Sequence, residues 1–272
     1  MSLNLRKTNN KEIQRNKEYY KAIDELKEIE KFIADYGFLS FGRDYILCVN
    51  RVFSLQKILI SAELTIGSII SCCEHYCVSD ANLLLRKYRD DMFFYLYLVV
   101  YDSEYKTGND VQKIESIIEK WLNNELKNLY LADMLKTIGS SKVLREFVVK
   151  FNLQSKLDDV SNRLNNYTHG NGYKYYNNNI LVNDNKQIRK DLMQVINDIK
   201  FITIVVLFLT IICSPIQLMS TDYIDCLEFN QILEKRLQYA VAPFIKNFIV
   251  KNSCLISKNA YEFLQDNTFM KI

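Results

Sequence analysis

Apolar residues recur three and four positions apart in the stretch NKEIQRNKEYYKAIDELKEIEKFIADYG, at Tyr19, Ile23, Leu26, Ile29 and Ile33. That spacing puts them on one face of an α-helix, with Lys and Glu at i,i+4 on the other. Gly37 is the expected stop. The same pattern predicts a longer helix over Arg43–Cys77 and a third over Asp80–Asp102, capped by Ser79. A fourth is expected over Val111–Asn128, with Ile114, Ile117, Ile118 and Leu122 on one face. Shorter helical pieces follow in LADMLKTIG and SKVLREFVVKFN. Leu157, Val160 and Leu164 line one face of KLDDVSNRLNNYTH, which Ser155 opens and Gly170 stops directly after His169. GNGYKYYNNNILVND reads as a loop. A long helix is expected from about Asn185 to Ser214, broken at Pro215. Three more follow in STDYIDCLEF, VAPFIKNFIVKN and SKNAYEFLQDN, with Pro243 near a helix start.

No alternating strand series and no internal repeat interrupts this run of helices. Only 7 Gly and 2 Pro punctuate 272 residues, so turns are few and helices long. The expected fold class is all-α, a multi-helix bundle forming one domain over 1–272. One segment has two readings. Phe201–Thr221 carries no charge; Lys186, Arg189, Lys190 and Lys200 precede it, and Asp222, Asp225 and Glu228 follow. That asymmetry fits the positive-inside rule for a membrane span. The strongly apolar run ends at Cys213, however, which favours a buried central helix, with a membrane span as the lesser alternative.

Composition adds two limits. Cys48, Cys72, Cys73, Cys77, Cys213, Cys226 and Cys254 are odd in number and irregular in spacing, which points to free thiols. With a polar opening, MSLNLRKTNNKEIQRNK, the expected location is the cytoplasm. A net charge of +3 is too mild to signal nucleic-acid binding by itself, so any such role rests on local patches.

Gly-rich phosphate loops, GxSxG elbows and HExxH pairs are absent from the sequence. His75 and His169 are the only histidines, and CCEHYC at 72–77 has no second ligand-bearing segment. No metal and no cofactor is expected, and these cysteines read as small buried thiols. LLLRKYRDDMFFYLY places Arg86 and Asp90, and Lys87 and Asp91, one helical turn apart, with Arg89 between. This is either a solvated face or a partly buried Arg86–Asp90 pair lining a cleft. RLNNYTHGNGYKYY sets Arg163 six residues before His169, at a helix end, with Tyr173, Lys174, Tyr175 and Tyr176 beyond. An arginine fork can hold a phosphate, a histidine can give or take a proton near neutrality, and tyrosines can stack exposed bases.

These residues resemble the HEPN-domain superfamily, whose Rx4–6H motif RLNNYTH matches with five residues between Arg163 and His169. The resemblance implies an all-α, often dimeric fold, with an HEPN-like core over approximately 43–214. An N-terminal helix over approximately 10–36 and a C-terminal helical extension over approximately 220–268 would flank that core. It implies a metal-independent endoribonuclease of toxin, toxin–antitoxin or phage-defence type, with Arg163 and His169 catalytic and Arg86 and Asp90 supporting. The expected partners are RNA, a second copy of the chain, and an antitoxin or other regulatory protein. In the family the residue after the motif arginine is frequently polar, whereas here it is Leu164. Asn165 or Asn166 would then take the polar role, or the chain is a noncatalytic RNA-binding or dimerisation scaffold. Six residues correspond to about 600° around a helix, so Arg163 and His169 converge only at a frayed helix end or across two chains.

Overall fold

The structure is a computed structural model that describes residues 17–41, 43, 45–48, 51–107, 119–125, 129–173, 175, 185–232, 234–235 and 238–272. Its elements are α1 (Lys17–Ser40), a hairpin of β1 (Tyr45–Cys48) and β2 (Arg51–Ser54), α2 (Gln56–Glu74) and α3 (Val78–Thr107). Then come α4 (Leu131–Ser140), α5 (Arg145–Lys150), α6 (Leu153–His169), α7 (Asn185–Cys213), α8 (Thr221–Glu228), α9 (Pro243–Asn252) and α10 (Ala260–Asn267). Short 3-10 turns occupy Pro215–Leu218 and Ser253–Leu255. The described residues form an all-α bundle, and the hairpin is the one departure from it.

The two central members are α3 and α7. α3 packs against α2, α4, α6 and α7, while α7 also packs against α1 and α9. On α7, Ile202 and Ile204 through Phe208 are wholly buried, which is how a helix apolar on all sides behaves at the centre of a bundle. Burying each such side chain contributes about 1.5–3 kcal/mol. Several polar groups inside are paired. Thr203 donates to the Ile199 carbonyl and shares a 2.7 Å hydrogen bond with Tyr88 of α3. Tyr36 of α1 donates to the Tyr95 hydroxyl at 3.0 Å. Phe147, Phe151, Phe208 and Phe263 meet in tilted and edge-on contacts that tie α5 and α10 to α7.

Two helices among the described residues are long and apolar enough to cross a membrane, Gln56–Glu74 and Arg189–Cys213. The apolar window of the second is 89% buried inside the bundle, against 44% for the first. Val205 and Leu207 are fully covered and Leu209 is 1% exposed, so the charge-free run from Phe201 serves as core.

Several boundaries differ from the sequence expectation. Tyr45–Cys48 and Arg51–Ser54 do not continue a helix into α2. They pair as antiparallel strands with Tyr45 opposite Ser54 and Cys48 opposite Arg51. YILC and RVFS are rich in aromatic and branched residues that favour extended backbone, and that local preference prevails. α1 does not stop at Gly37 but runs on to Ser40, because Leu39 is buried and holds the last turn. Gly37 is itself buried, facing the Leu59 side chain. α3 extends to Thr107, through residues expected to be a connection. The helix expected over Val111–Asn128 lies largely outside the described residues. α6 begins at Leu153 rather than after Ser155, following Asn152 in a left-handed conformation. The long helix ends at Cys213, and Pro215 opens a 3-10 turn instead.

Candidate functional site

The apolar stripe Leu157, Val160 and Leu164 on α6 is buried, and α6 packs on α3. Leu164 is fully covered, so the position after Arg163 is apolar because it faces the bundle. One residue back, Arg163 points to α7. Its Nε donates to Asp198 Oδ2 at 3.1 Å and its Nη2 to Oδ1 at 2.5 Å. Gln194, one turn earlier on α7, donates to the same Oδ1 at 2.9 Å. The Asp198 side chain is 5% exposed and that of Arg163 31%. Burial raises the Asp198 carboxyl above the usual carboxylate range, while the Arg163 charge and the hydrogen bonds from Arg163 and Gln194 oppose that rise. Nη1 of Arg163 makes no hydrogen bond among the described residues.

Asp198 is the functional neighbour that sequence reasoning missed. The signal lay in QVINDIKFITIVV, where a carboxylate one turn before an apolar run requires a cationic partner once buried. Nothing in the spacing says that the partner stands 35 residues earlier.

His169 is the last residue of α6 and is exposed, with no side-chain hydrogen bond among the described residues. Gly170 ends the helix as expected, at φ 57° and ψ 39°, a left-handed conformation that favours glycine. The amides of Gly170 and Asn171 both donate to the Asn166 carbonyl, the second at 3.0 Å. Asn171 also reaches the Asn166 side chain at 3.3 Å, so Asn166 organises the turn beneath His169. Asn165 is half-buried and makes no side-chain hydrogen bond among the described residues. No hydrogen bond joins Arg163 to His169; within one chain they point about 120° apart around the helix.

The loop then folds back. The Tyr175 amide donates to Gly172, its ring meets Tyr167 edge-on at 4.8 Å, and its carbonyl accepts from Ser79 at 2.5 Å. Ser79 thus anchors this loop to the first turn of α3 instead of capping that helix. Of the tyrosines expected to stack on bases, Tyr173 is 79% exposed, whereas Tyr175 is half-buried and engaged with Tyr167. Lys174 and Tyr176 lie outside the described residues.

On α3 the expected Arg86–Asp90 pair does not form. Asp90 accepts instead from its neighbour Arg89, at 2.9 Å from Nε and 2.7 Å from Nη2. The Arg89 side chain is 4% exposed and its Nη1 is buried without a partner. Burial explains the choice: the covered guanidinium has the greater need of a carboxylate. Arg86 is half-buried and makes no ion pair among the described residues. The companion pair Lys87–Asp91 is present at 2.5 Å and is bridged to α2 through Ser61 and Thr65.

Among the described residues, no group of three or more His, Cys, Asp or Glu side chains is placed to hold a metal ion. A separate cleft of about 190 Å³ lies between α1, α7 and α9, floored by Phe32, Phe244 and Phe248. Lys200 pairs with Glu25 at its edge, and none of its lining residues lies on α6. No protein-family model, no curated protein and no solved structure matches the chain.

Proposed function

We propose that this chain is a cytoplasmic, metal-independent endoribonuclease of HEPN type that works as a homodimer. The observation that carries this reading is the Arg163–Asp198 fork. Asp198 engages Nε and Nη2 and fixes the guanidinium plane, while Nη1 makes no hydrogen bond among the described residues, on a side chain 31% exposed. A guanidinium so held is pre-oriented to receive a phosphate oxygen and the charge that develops on it. His169, exposed at the helix tip, takes the proton from the ribose 2′-hydroxyl or gives one to the leaving oxygen. The 2′-oxygen attacks phosphorus, the bond to the 5′-oxygen breaks, and a 2′,3′-cyclic phosphate and a 5′-hydroxyl result. Arg163 and His169 of one chain point apart, so the Arg163 of one protomer works with the His169 of the other. Exposed Tyr173 supplies a face for an unpaired base. A toxin or phage-defence role, held in check by an antitoxin or other regulatory protein, suits such an activity.

The test is cleavage of a structured RNA in the presence of EDTA. Wild type should cut, and His169→Ala and Arg163→Ala should each lose at least about 100-fold, the scale of a missing general acid–base or phosphate contact. A second reading has its own support: the charge of Arg163 is already met by Asp198, as in a noncatalytic RNA-binding or dimerisation scaffold. That reading predicts no cleavage by any variant and RNA affinity that falls with salt.

A further inference from the structure

The last turn of α2 and the link to α3 hold Cys72, Cys73 and Cys77, none of which the ribonuclease reading employs. Its backbone has a specific closure. Tyr76 sits at φ 61°, its amide donates to the Cys73 carbonyl at 3.0 Å, and the Cys77 amide donates to the Cys72 carbonyl at 2.8 Å. This is a Schellman motif, which ordinarily brings the side chains at those two outer positions into contact. Here both outer positions are cysteine. With standard bond lengths, the 2.8 Å hydrogen bond caps the Cys72–Cys77 Cα separation at about 6.7 Å. Disulfides span Cα separations of about 4.4–6.8 Å, so the backbone is already within range.

The three thiols are not equivalent. Cys73 is fully buried, and burial, followed by the nearby Cys72, Cys77 and Glu74, pushes its thiol up to about 12. It stays protonated and covered, hence inert. Cys72 and Cys77 are both partly exposed. The Cys72 thiol is raised chiefly by burial, then by Asp80 and by Cys77. Cys77 now donates only weakly to the His75 carbonyl, at 3.7 Å.

We propose that Cys72 and Cys77 are a redox-active pair that closes to an intrachain disulfide on exposure to a peroxide. One thiolate attacks hydrogen peroxide, forming a sulfenic acid and releasing water. The other thiol displaces a second water from it, so the two sulfurs give up the two electrons that the peroxide gains. A reducing compartment returns the pair to free thiols, which is the pattern of transient, sensing disulfides inside cells. The pair lies just before Ser79, whose hydroxyl anchors the loop beyond His169, but its chemistry stands independently of what that loop does.

The experiment treats the reduced full-length protein with hydrogen peroxide, at a dose raised until exposed Cys254 is oxidised, then alkylates, digests and weighs the fragments. The fragment carrying residues 72–77 should lose about 2 Da, retain one alkylatable cysteine, and regain the mass with dithiothreitol. Cys73→Ser should keep the loss, while Cys72→Ser and Cys77→Ser should abolish it. Three alkylatable cysteines at that dose, a mass loss that survives Cys77→Ser, or linkage of two chains through either residue would overturn the proposal.

Discussion

At the scale of single residues, the pair between Arg163 and Asp198 sets a pH dependence whose sign follows from burial. Asp198 is 5% exposed and its carboxyl is raised in the folded chain, so the folded state holds that proton more tightly than the unfolded one. The stability tied to this proton is complete below the ordinary carboxylate range and is lost as pH rises through the raised value. Arg163 limits the loss by drawing the carboxyl down. Arg163→Ala removes that opposition and leaves a buried carboxylate uncompensated, which costs about 3–5 kcal/mol. The cost should be smallest in acid, where the carboxyl is protonated, and should grow as the pH rises. Urea unfolding of Arg163→Ala at an acidic and a mildly alkaline pH checks this, and adding Asp198→Asn should erase the pH dependence. A deficit equal at both values would mean that Asp198 does not titrate there. The sequence made Arg163 and His169 visible as a pattern, but not Asp198, because a pair across 35 residues depends on how α6 and α7 pack. It also suggested Arg86 for Asp90 from helical spacing, where burial of Arg89 decides otherwise.

Elements were legible where an apolar stripe and a terminal residue agreed. α6 shows both, with Leu157, Val160 and Leu164 inward and Gly170 closing the helix in the left-handed region. The hairpin Tyr45–Ser54 was not, because it joins directly to α2 and ten residues of mixed apolar character fit either period. α6 also settles what Leu164 does. The family pattern favours a polar residue after the arginine, yet here that side chain is fully covered against the bundle. Leu164→Asn should therefore cost about 2–5 kcal/mol rather than add catalytic power. Thermal unfolding, read beside RNA cleavage at a temperature where the variant is still folded, separates the two outcomes. Increased cleavage by this variant would mean that position 164 reaches the site.

For the whole molecule, hydropathy alone could not tell a core helix from a span, since both need the same apolar run; coverage by α1, α3 and α9 makes α7 a core helix in this bundle. Within one chain, Arg163 is committed to Asp198 on one side of α6, and His169 is exposed at its tip. A two-fold dimer would supply each arginine with the other protomer's histidine. Mixing makes this measurable. Arg163→Ala and His169→Ala homodimers should each be inactive. If subunits exchange at a one-to-one ratio, half of the dimers are mixed and each holds one intact composite site of two. Activity should then return to about a quarter of wild type. Exchange can be followed independently with a fluorescent label on each variant. Complete exchange with no recovered cleavage, beside an active wild type, would place both side chains of the site in one chain.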